Sequence, residues 1–335
     1  MMNLARVGLI VNPHAGRGDG LPIAREAIRA LAPLEVLVGD GEMGTDALRD
    51  LPLASRVFDW SAHEGKARTT WLAQQFAVQG VDALVVIGGD GTLADVAFAI
   101  VEARCHVPLL GIGVGSANVG PLITCQGADA HCLADTQLTT RAVDGLIAGA
   151  NGTDLGLGFN DVVIGFTVLA TVDGQVVDVD AAQKMRGVNV PHDPEPVWTE
   201  QTHVVKQSPR GETPVAQGNQ VATVIVGLPD ERFYGKAIAG GVLLSGLIGD
   251  SAGCLVCNHL LVRTRIDVDA YHRAEPVISR YVGLSEGERI EASGFRVGTV
   301  LCADGNPLAI MNESDRAHVR VQRGLVKAIH IEEQR

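Results

Sequence analysis

Short apolar runs alternate with segments of helical periodicity over the first third of this 335-residue chain. The candidate strands lie at 6–11, 36–38, 56–60, 83–87 and 108–112, and the candidate helices at 22–31, 65–78 and 93–103. Regular alternation of this kind predicts right-handed crossovers, and therefore a doubly wound parallel sheet with helices on both faces. We expect an α/β domain over residues 1–128, with ligands beyond the carboxyl ends of its strands.

The pattern changes around residue 150. Residues 129–150 favour a connecting helix with Asp129 as its N-cap. From Asn151 onward, apolar and polar residues alternate between Gly and Asp-Gly turns, which is typical of antiparallel hairpins. We therefore expect a β-rich, antiparallel domain over 151–335.

We make two further predictions for segments of this second domain. Residues 183–220 hold several prolines and show no clear periodicity, which predicts a lid or a mobile insertion. The chain ends in two apolar stretches, 317–322 and 326–331, which predict a closing pair of strands.

Composition narrows the classes of partner. The chain carries 27 Lys and Arg against 39 Asp and Glu, a formal net charge of −12, so its overall field repels nucleic acids and anionic membranes. Apolar runs stay short of the roughly 20 residues of a membrane span, and the N-terminus shows no signal-peptide pattern. We expect a cytoplasmic protein whose partners are small molecules. The sequence leaves open whether it forms a homo-oligomer.

The six cysteines are dispersed along the chain, which favours reduced thiols over a disulfide framework. Cys254 and Cys257 form the one close pair. A zinc or redox site is one interpretation of this pair, but no second CxxC follows, so we expect both to be small buried apolar residues.

Glycine-rich segments follow the strand candidates at 6–11, 83–87 and 108–112. In a parallel sheet they meet at one edge, where backbone N–H groups and helix N-termini favour anions. The GK[ST] of a P-loop is absent, and so is a GxGxxG in the right setting. The pattern therefore predicts a phosphate site of a less common kind. Its candidate residues are Asn12, Gly16, Gly88, Gly89, Gly91, Thr92, Gly115 and Ser116.

Asp90 stands among three of these glycines, in the segment GGDGT, where a strand becomes a helix. It could cap the helix, because Asp is favoured at that position. A cap does not need glycine on both sides, however, and glycines let a ligand approach the backbone. We interpret Asp90 as a carboxylate that accepts a proton from an attacking hydroxyl or holds a phosphate-bound Mg²⁺.

GGDGT, the NPHAGRG segment at 12–18 and the FNDV segment at 159–162 together resemble the NAD kinase and diacylglycerol kinase superfamily. VGLIVNPHAGRG with GGDGTLADVA is similar to its predicted ATP-NAD kinase branch, which includes acetoin-catabolism protein X. The resemblance implies an α/β nucleotide-binding N-terminal domain over 1–128, a β-rich substrate-binding C-terminal domain over 151–335, and a cleft between them.

The resemblance also implies roles for single residues. Asp90 would accept the proton of the NAD ribose 2′-hydroxyl as that hydroxyl attacks the γ-phosphate of ATP. Asn160 and Asp161 would hold the ribose and base of the acceptor, and Asn118 is a candidate for a further substrate contact. By themselves, Asn160 and Asp161 are typical of a turn at the start of a strand.

Asp304-Gly305 resembles an Asp-Gly of the lipid kinase branch, in which a glutamate follows and serves as base. Here Asn306 follows, which argues against lipid phosphorylation. An ordinary hairpin turn is the simpler interpretation of Asp304-Gly305.

We expect phosphoryl transfer from ATP, or another donor, to a hydroxyl of NAD or a related metabolite, and the resemblance implies a link to acetoin catabolism. Mg²⁺ would be held mainly by phosphates, without a dedicated set of side chains. A second hypothesis is a nucleotide-binding sensor with reduced chemistry, because the second glycine-rich dinucleotide motif of the family has no clear match. The third hypothesis is a lipid kinase, which the sequence favours less than the other two.

Overall fold

The computed structural model describes residues 2, 4–16, 18–115, 118, 120–172, 175–229, 244–258 and 279–332. The chain divides into two compact units. Unit 1 consists of Met1–Val143 with Gly324–Arg335, and unit 2 consists of Asp144–Arg323. The C-terminal residues thus belong with the N-terminal unit.

Unit 1 is built on a parallel sheet. Its strands are β1 (Arg6–Val11), β2 (Glu35–Gly39), β3 (Ala54–Phe58), β4 (Ala83–Gly88), β5 (Leu109–Gly113) and β6 (Ile123–Gln126). They lie in the order β5, β4, β1, β2, β3, and β5 also pairs with β6 and, through Leu109, with Ala328. Each of these pairings is parallel.

Helices cover both faces of this sheet. They are α1 (Gly20–Leu31), α2 (Thr45–Leu48), α3 (Lys66–Val78) and α4 (Asp90–Glu102), with 3₁₀ turns at Gly41–Met43 and Gly127–Ala134. Because side chains alternate along a strand, Val7, Leu9 and Val11 of β1 share a core cluster with α1 and α2. Gly8 lies instead against Phe76 of α3. The predicted doubly wound α/β domain is confirmed.

Unit 2 is mainly antiparallel. Two of its strands, β7 (Leu138–Ala150) and β20 (Arg316–Ile331), begin or end in unit 1. The other elements described in unit 2 are β8 (Thr153–Gly158), β9 (Asp161–Gly165), β10 (Thr167–Val172), β11 (Gln175–Asp180), α5 (Ala181–Met185), β12 (Trp198–Ser208), β13 (Gly211–Gln217), a 3₁₀ turn (Gly218–Gln220), β14 (Thr223–Gly227), α6 (Leu244–Ile248), β15 (Ala252–Cys257), β16 (Ser279–Leu284), β17 (Arg289–Phe295), β18 (Thr299–Ala303) and β19 (Asn306–Met311).

These strands form two sheets and one separate hairpin. The first sheet has the order β16, β15, β14, β9, β18, β19, and the hairpin consists of β10 and β11. The second has the order β13, β12, β17, β20, and β20 also pairs with β7, the partner of β8. Val224, Cys254 and Leu301 of the first sheet share one core with Ile290 and Val319 of the second. The predicted antiparallel, β-rich region is confirmed.

The connecting helix predicted over 129–150 is wrong. The structure has the 3₁₀ turn Gly127–Ala134 and then the long strand β7. This strand pairs with both β8 and β20. Pairing on two edges outweighs the weak local helix preference of the segment.

Regular structure also occupies much of the proline-rich segment 183–220. β12 and β13 form an antiparallel hairpin, and β12 pairs on its other side with β17. Pro214 is tolerated because β13 stands at the end of its strand order. The expectation of a lid or a mobile insertion is therefore wrong for residues 198–217.

The predicted closing pair of strands is a single strand, β20. Gly324 interrupts its apolar pattern with a positive φ of 56°, which glycine adopts without strain. The strand continues through Gly324 without a turn.

No helix within the described ranges is long and apolar enough to cross a membrane. All six cysteines are free, and Cys254 and Cys257 are buried in β15, as predicted for small apolar residues. Burial raises the pKa of Cys254 to about 12, so this side chain stays a neutral thiol.

Phe76 anchors α3 on the sheet. Its side chain is fully buried, and its ring lies 5.2 Å from the Phe58 ring in an edge-to-face arrangement. A Cβ added at Gly8 would lie 2.7 Å from Phe76 Cδ2, so the ring occupies the space that a side chain on β1 would take.

We predict that Phe76→Ala lowers the free energy of unfolding by about 3–5 kcal/mol, because it leaves a cavity under α3. Chemical denaturation measures the change. Val78→Ala, at an exposed position of the same helix, is the matched control and should change stability by less than about 0.5 kcal/mol. Equal losses in the two variants would contradict this account of α3.

Candidate functional site

The ends of β1, β4 and β5 meet at one edge of the unit 1 sheet. Gly88 pairs with Gly113, and the ladder continues beyond the strands. Asn12 N donates to Ile87 O (2.9 Å), and Val114 N donates to Gly88 O (3.0 Å). Three segments therefore leave the sheet side by side. In order along the chain they are loop 1 (12–16 and 18–19), the GGDGT segment (88–92) and, third, loop 3 (114–115, 118 and 120–122).

Asn12 ties loop 1 to the GGDGT segment. Its Nδ2 donates to Thr92 Oγ1 (2.8 Å), and its Oδ1 accepts a hydrogen bond from His14 N (3.0 Å). Thr92 folds over Gly88, where an added Cβ would lie 2.6 Å from Thr92 Cβ. The Asn and Thr side chains thus hold two neighbouring segments together.

Glycines allow loop 3 to lie against its neighbours. A Cβ added at Gly115 would lie 2.9 Å from Gly89 Cα, and one added at Gly16 would collide with Val114 O. Asn118, with a φ of 52°, closes the loop, since its Oδ1 accepts from Gly115 N (2.7 Å) and its Nδ2 donates to Gly115 O (2.8 Å). These glycines serve the contact between the segments as well as any approach by a ligand.

Asp90 is the first residue of α4, and the N-cap position belongs to Gly89. The interpretation of Asp90 as the helix cap is therefore wrong. Its side chain is partly exposed, and its Oδ1 accepts a hydrogen bond from Gly120 N of loop 3 (2.9 Å). Loop 3 thus orients the carboxylate.

This edge of unit 1 combines two chemical features. Gly89 has no side chain with which to cap α4, and the N–H groups of a first helical turn point away from the helix toward any anion bound there. Asp90 adds a carboxylate to the same turn. The arrangement can hold a phosphate and accept a proton beside it.

In unit 2, the Asp304 carboxylate fixes the segment before β9. Its Oδ2 accepts from Phe159 N (2.7 Å), and its Oδ1 accepts from Asn160 N (2.8 Å) and Asp161 N (3.0 Å). Asp304 N donates in return to Asp161 O (3.0 Å). Asp304 itself stands in the turn between β18 and β19 with a φ of 47°. A side chain in the β18–β19 turn therefore holds the backbone of Asn160 and Asp161 in place.

The surroundings of this turn disfavour charge. Burial, with a smaller contribution from the nearby charge of Asp161, raises the pKa of Asp304 to about 7, although the three N–H donors lower it. Lys184 of α5 lies beside the turn, and its Nζ donates to Gly305 O (3.0 Å) and Leu169 O (3.3 Å). Burial lowers the pKa of Lys184.

Comparison with known proteins identifies the superfamily. Residues 6–127, which include all three segments of the unit 1 edge, match the family model of the diacylglycerol kinase catalytic domain. An uncharacterized protein of Archaeoglobus fulgidus is 31% identical over 326 residues, which is 97% of each chain. The chain belongs to the NAD kinase and diacylglycerol kinase superfamily.

Solved structures share the fold of this superfamily member. Yeast NADH kinase complexed with NADH aligns with a TM-score of 0.56 and 12% identity over 99% of this chain and 84% of that one. A protein described as a candidate diacylglycerol kinase, from Bacillus anthracis str. Sterne, aligns with a TM-score of 0.53 and 15% identity over 99% and 100%. At such identities the likeness concerns the fold alone.

The predicted site residues of this superfamily member lie in both units. Gly91 is the second residue of α4, and Ser116 lies outside the described residues. Asp161 begins β9, directly after Asn160. Hydrogen bonds and close approaches bring together the other unit 1 candidates, which are Asn12, Gly16, Gly88, Gly89, Asp90, Thr92, Gly115 and Asn118. Their roles in ligand binding stay predictions.

Two contributions escape sequence reasoning. Asp304-Gly305 does form the predicted hairpin turn, but its carboxylate also binds the backbone of Asn160 and Asp161. The Asp-Gly motif by itself does not signal this contact, which joins positions more than 140 residues apart. Gly120 orients Asp90 through a backbone N–H, for which residue type carries no signal.

We predict that Asp304 makes the stability of this protein fall as pH rises. The folded-state pKa of about 7 lies above the ordinary 3.8, so the stabilising contribution is complete below about pH 4 and is lost as pH rises through about 7. Between pH 5 and 8, the free energy of unfolding of the wild type should fall by about 2 kcal/mol more than that of Asp304→Asn.

Urea denaturation at several pH values measures this difference. Asp315→Asn, which removes another turn carboxylate that accepts hydrogen bonds in unit 2, is the matched control. The substitution also changes the hydrogen bond to Phe159 N, which can lower the free energy of unfolding at every pH. The test is therefore the slope: if the free energy of unfolding depends on pH equally in the wild type and in Asp304→Asn, the prediction is contradicted.

Proposed function

We propose that this protein is a kinase that transfers a phosphoryl group from ATP, or another phosphoryl donor, to a hydroxyl of NAD or a related metabolite. The observation that carries the proposal is the position of Asp90. It opens α4 at the edge where loop 1, the GGDGT segment and loop 3 leave the sheet, and the N–H of Gly120 orients it.

In this proposal Asp90 accepts the proton of the attacking hydroxyl. The hydroxyl oxygen forms a bond to the γ-phosphorus, the bond from that phosphorus to the bridging oxygen breaks, and ADP leaves with the bonding electrons. Positioning and charge stabilisation dominate such a transfer, so a well-held carboxylate beside a helix N-terminus suits it.

The donor phosphates would lie against the backbone of the unit 1 edge. The residues proposed to bind them are Asn12, Gly16, Gly88, Gly89, Gly91, Thr92, Gly115 and Ser116. Among the described residues, no group of three or more His, Cys, Asp or Glu could hold a metal ion by itself. We propose that Mg²⁺ would take its oxygen ligands mainly from the phosphates of the donor and would supply positive charge to the transferred group.

For the acceptor, we propose Asn160 and Asp161 as the residues that hold its ribose and base, with a further contact from Asn118. The hydrogen bonds from Asn160 N and Asp161 N to Asp304 support this role, since they fix the backbone of the pair. The fold shared with yeast NADH kinase supports a dinucleotide acceptor.

We predict that Asp90→Asn keeps the fold and nucleotide binding but lowers the rate of phosphoryl transfer by about 10²–10⁴-fold. Asn keeps the oxygen that accepts from Gly120 N but cannot take up the proton. Steady-state transfer of phosphate from γ-labelled ATP measures the rate, and calorimetry measures nucleotide affinity.

Asp95→Asn is the matched control. Asp95 lies in the same helix, where its carboxylate is 3.8 Å from Lys66 Nζ, and we give it no role in the transfer. Turnover at the wild-type level in purified Asp90→Asn would show that Asp90 is not the base.

The match to the diacylglycerol kinase catalytic domain favours a lipid hydroxyl as the second candidate acceptor. Parallel assays with NAD, NADH, diacylglycerol and acetoin-related metabolites separate the candidates. Labelled NADP or NADPH supports the proposal, and labelled phosphatidic acid supports the lipid kinase. Tight ATP binding without transfer to any acceptor would favour a nucleotide sensor.

A further inference from the structure

A polar cavity of about 630 Å³ lies on unit 2, and its lining includes none of the residues given a role above. It opens on the second sheet, where β17, β20 and β8 contribute charged side chains. Five charged side chains and one histidine carry the argument: Asp154, Arg289, Glu291, Arg316, His318 and Arg320. Three arginines thus face two carboxylates in a chain whose net charge is −12.

Strand register places two of the arginines directly opposite each other. In the antiparallel pair β17–β20, Arg289 is the partner of Arg320, and Glu291 is the partner of His318. Directly opposed side chains of one sheet face have Cβ atoms about 5 Å apart, and like charges in that relation destabilise the sheet. An anion between Arg289 and Arg320 would contact both guanidinium groups and add to the neutralisation that Glu291 and Asp154 supply.

Each carboxylate of the lining contacts two basic side chains. Asp154 accepts from Arg320 (2.6 Å) and lies 3.0 Å from His318 Nε2, and Glu291 lies 2.6 Å from Arg289 and 3.5 Å from Arg316. These pairs orient the guanidinium groups. The Arg289 and Arg316 side chains are nevertheless 52% and 63% exposed, and a guanidinium has five N–H donors.

His318 is packed against the sheet at Gly149. A Cβ added at Gly149 of β7 would collide with the His318 ring, so the glycine makes room for the imidazole to lie close to the sheet. The His318 side chain is only 12% exposed, in contrast to the arginines around it. The cavity therefore has a fixed floor and basic side chains at its rim.

We infer that this cavity binds a small dianion, either the phosphate of a phosphate ester or a dicarboxylate, between Arg289 and Arg320. Arginine suits either source, because its planar group donates two parallel hydrogen bonds to an oxyanion. The inference stands on unit 2 alone and does not depend on the proposed phosphoryl transfer.

The test uses the full chain with Arg289→Gln and Arg320→Gln, separately and together. Arg210→Gln is the matched control, because Arg210 is an exposed arginine at the β12–β13 turn of the same unit and outside the cavity lining. Crystals soaked in selenate, a dianion with an anomalous signal, should show a peak between Arg289 and Arg320 in the wild type and in the control, and none in the double variant.

Displacement of selenate by inorganic phosphate or by succinate then identifies the source of the dianion. In calorimetry with the anion that displaces it, each single variant should bind about tenfold or more weakly than the wild type. Three results would overturn the inference: no selenate peak in the wild-type cavity, a peak that persists in the double variant, or equal affinities in all variants. The arginines would then be an ion-pair network of the sheet.

Discussion

The close approach of Gly89 and Gly115 sets the geometry of the unit 1 edge. β4 and β5 are adjacent parallel strands, and their ladder runs on past the strand ends into the turns that follow. Side chains at these two positions would separate the turns, since an added Cβ at Gly115 would lie 2.9 Å from Gly89 Cα. Loop 3 would then move away from the start of α4, and Gly120 N would no longer reach Asp90.

Both units use the same device, a carboxylate that accepts backbone N–H bonds from a neighbouring segment, with opposite chemical results. Asp304 is buried and accepts three such bonds, so its two oxygens are committed to holding the segment before β9. Asp90 is partly exposed at the start of a helix, next to N–H groups that favour anions. Asp304 therefore suits positioning, whereas Asp90 suits contact with a ligand.

The predictable parts are those in which a local pattern and the tertiary fold agree. The apolar runs of β1, β4 and β5, each followed by glycines, sufficed for the parallel sheet and for the edge where Asn12, Asp90 and Asn118 meet. The helix predicted over 129–150 was wrong because β7 is held in its extended form by pairing with β20, a strand distant in the chain. The β12–β13 hairpin was not predicted because the prolines of this segment are unfavourable in most strands and are tolerated here only at a sheet edge. The role of Asp304 was not predicted because it depends on contacts with residues more than 140 positions away.

The negative charge of the chain and the binding of a polyanion are compatible if the attraction is local. At the unit 1 edge the proposed phosphate ligands are backbone groups and uncharged side chains, so affinity would come from helix and loop dipoles that act within about one helical turn. Distant carboxylates are screened over about 8–10 Å at physiological salt and oppose such binding only weakly. A nucleotide site made of backbone can therefore operate in a protein of net charge −12 without the cluster of lysines that long-range attraction would require.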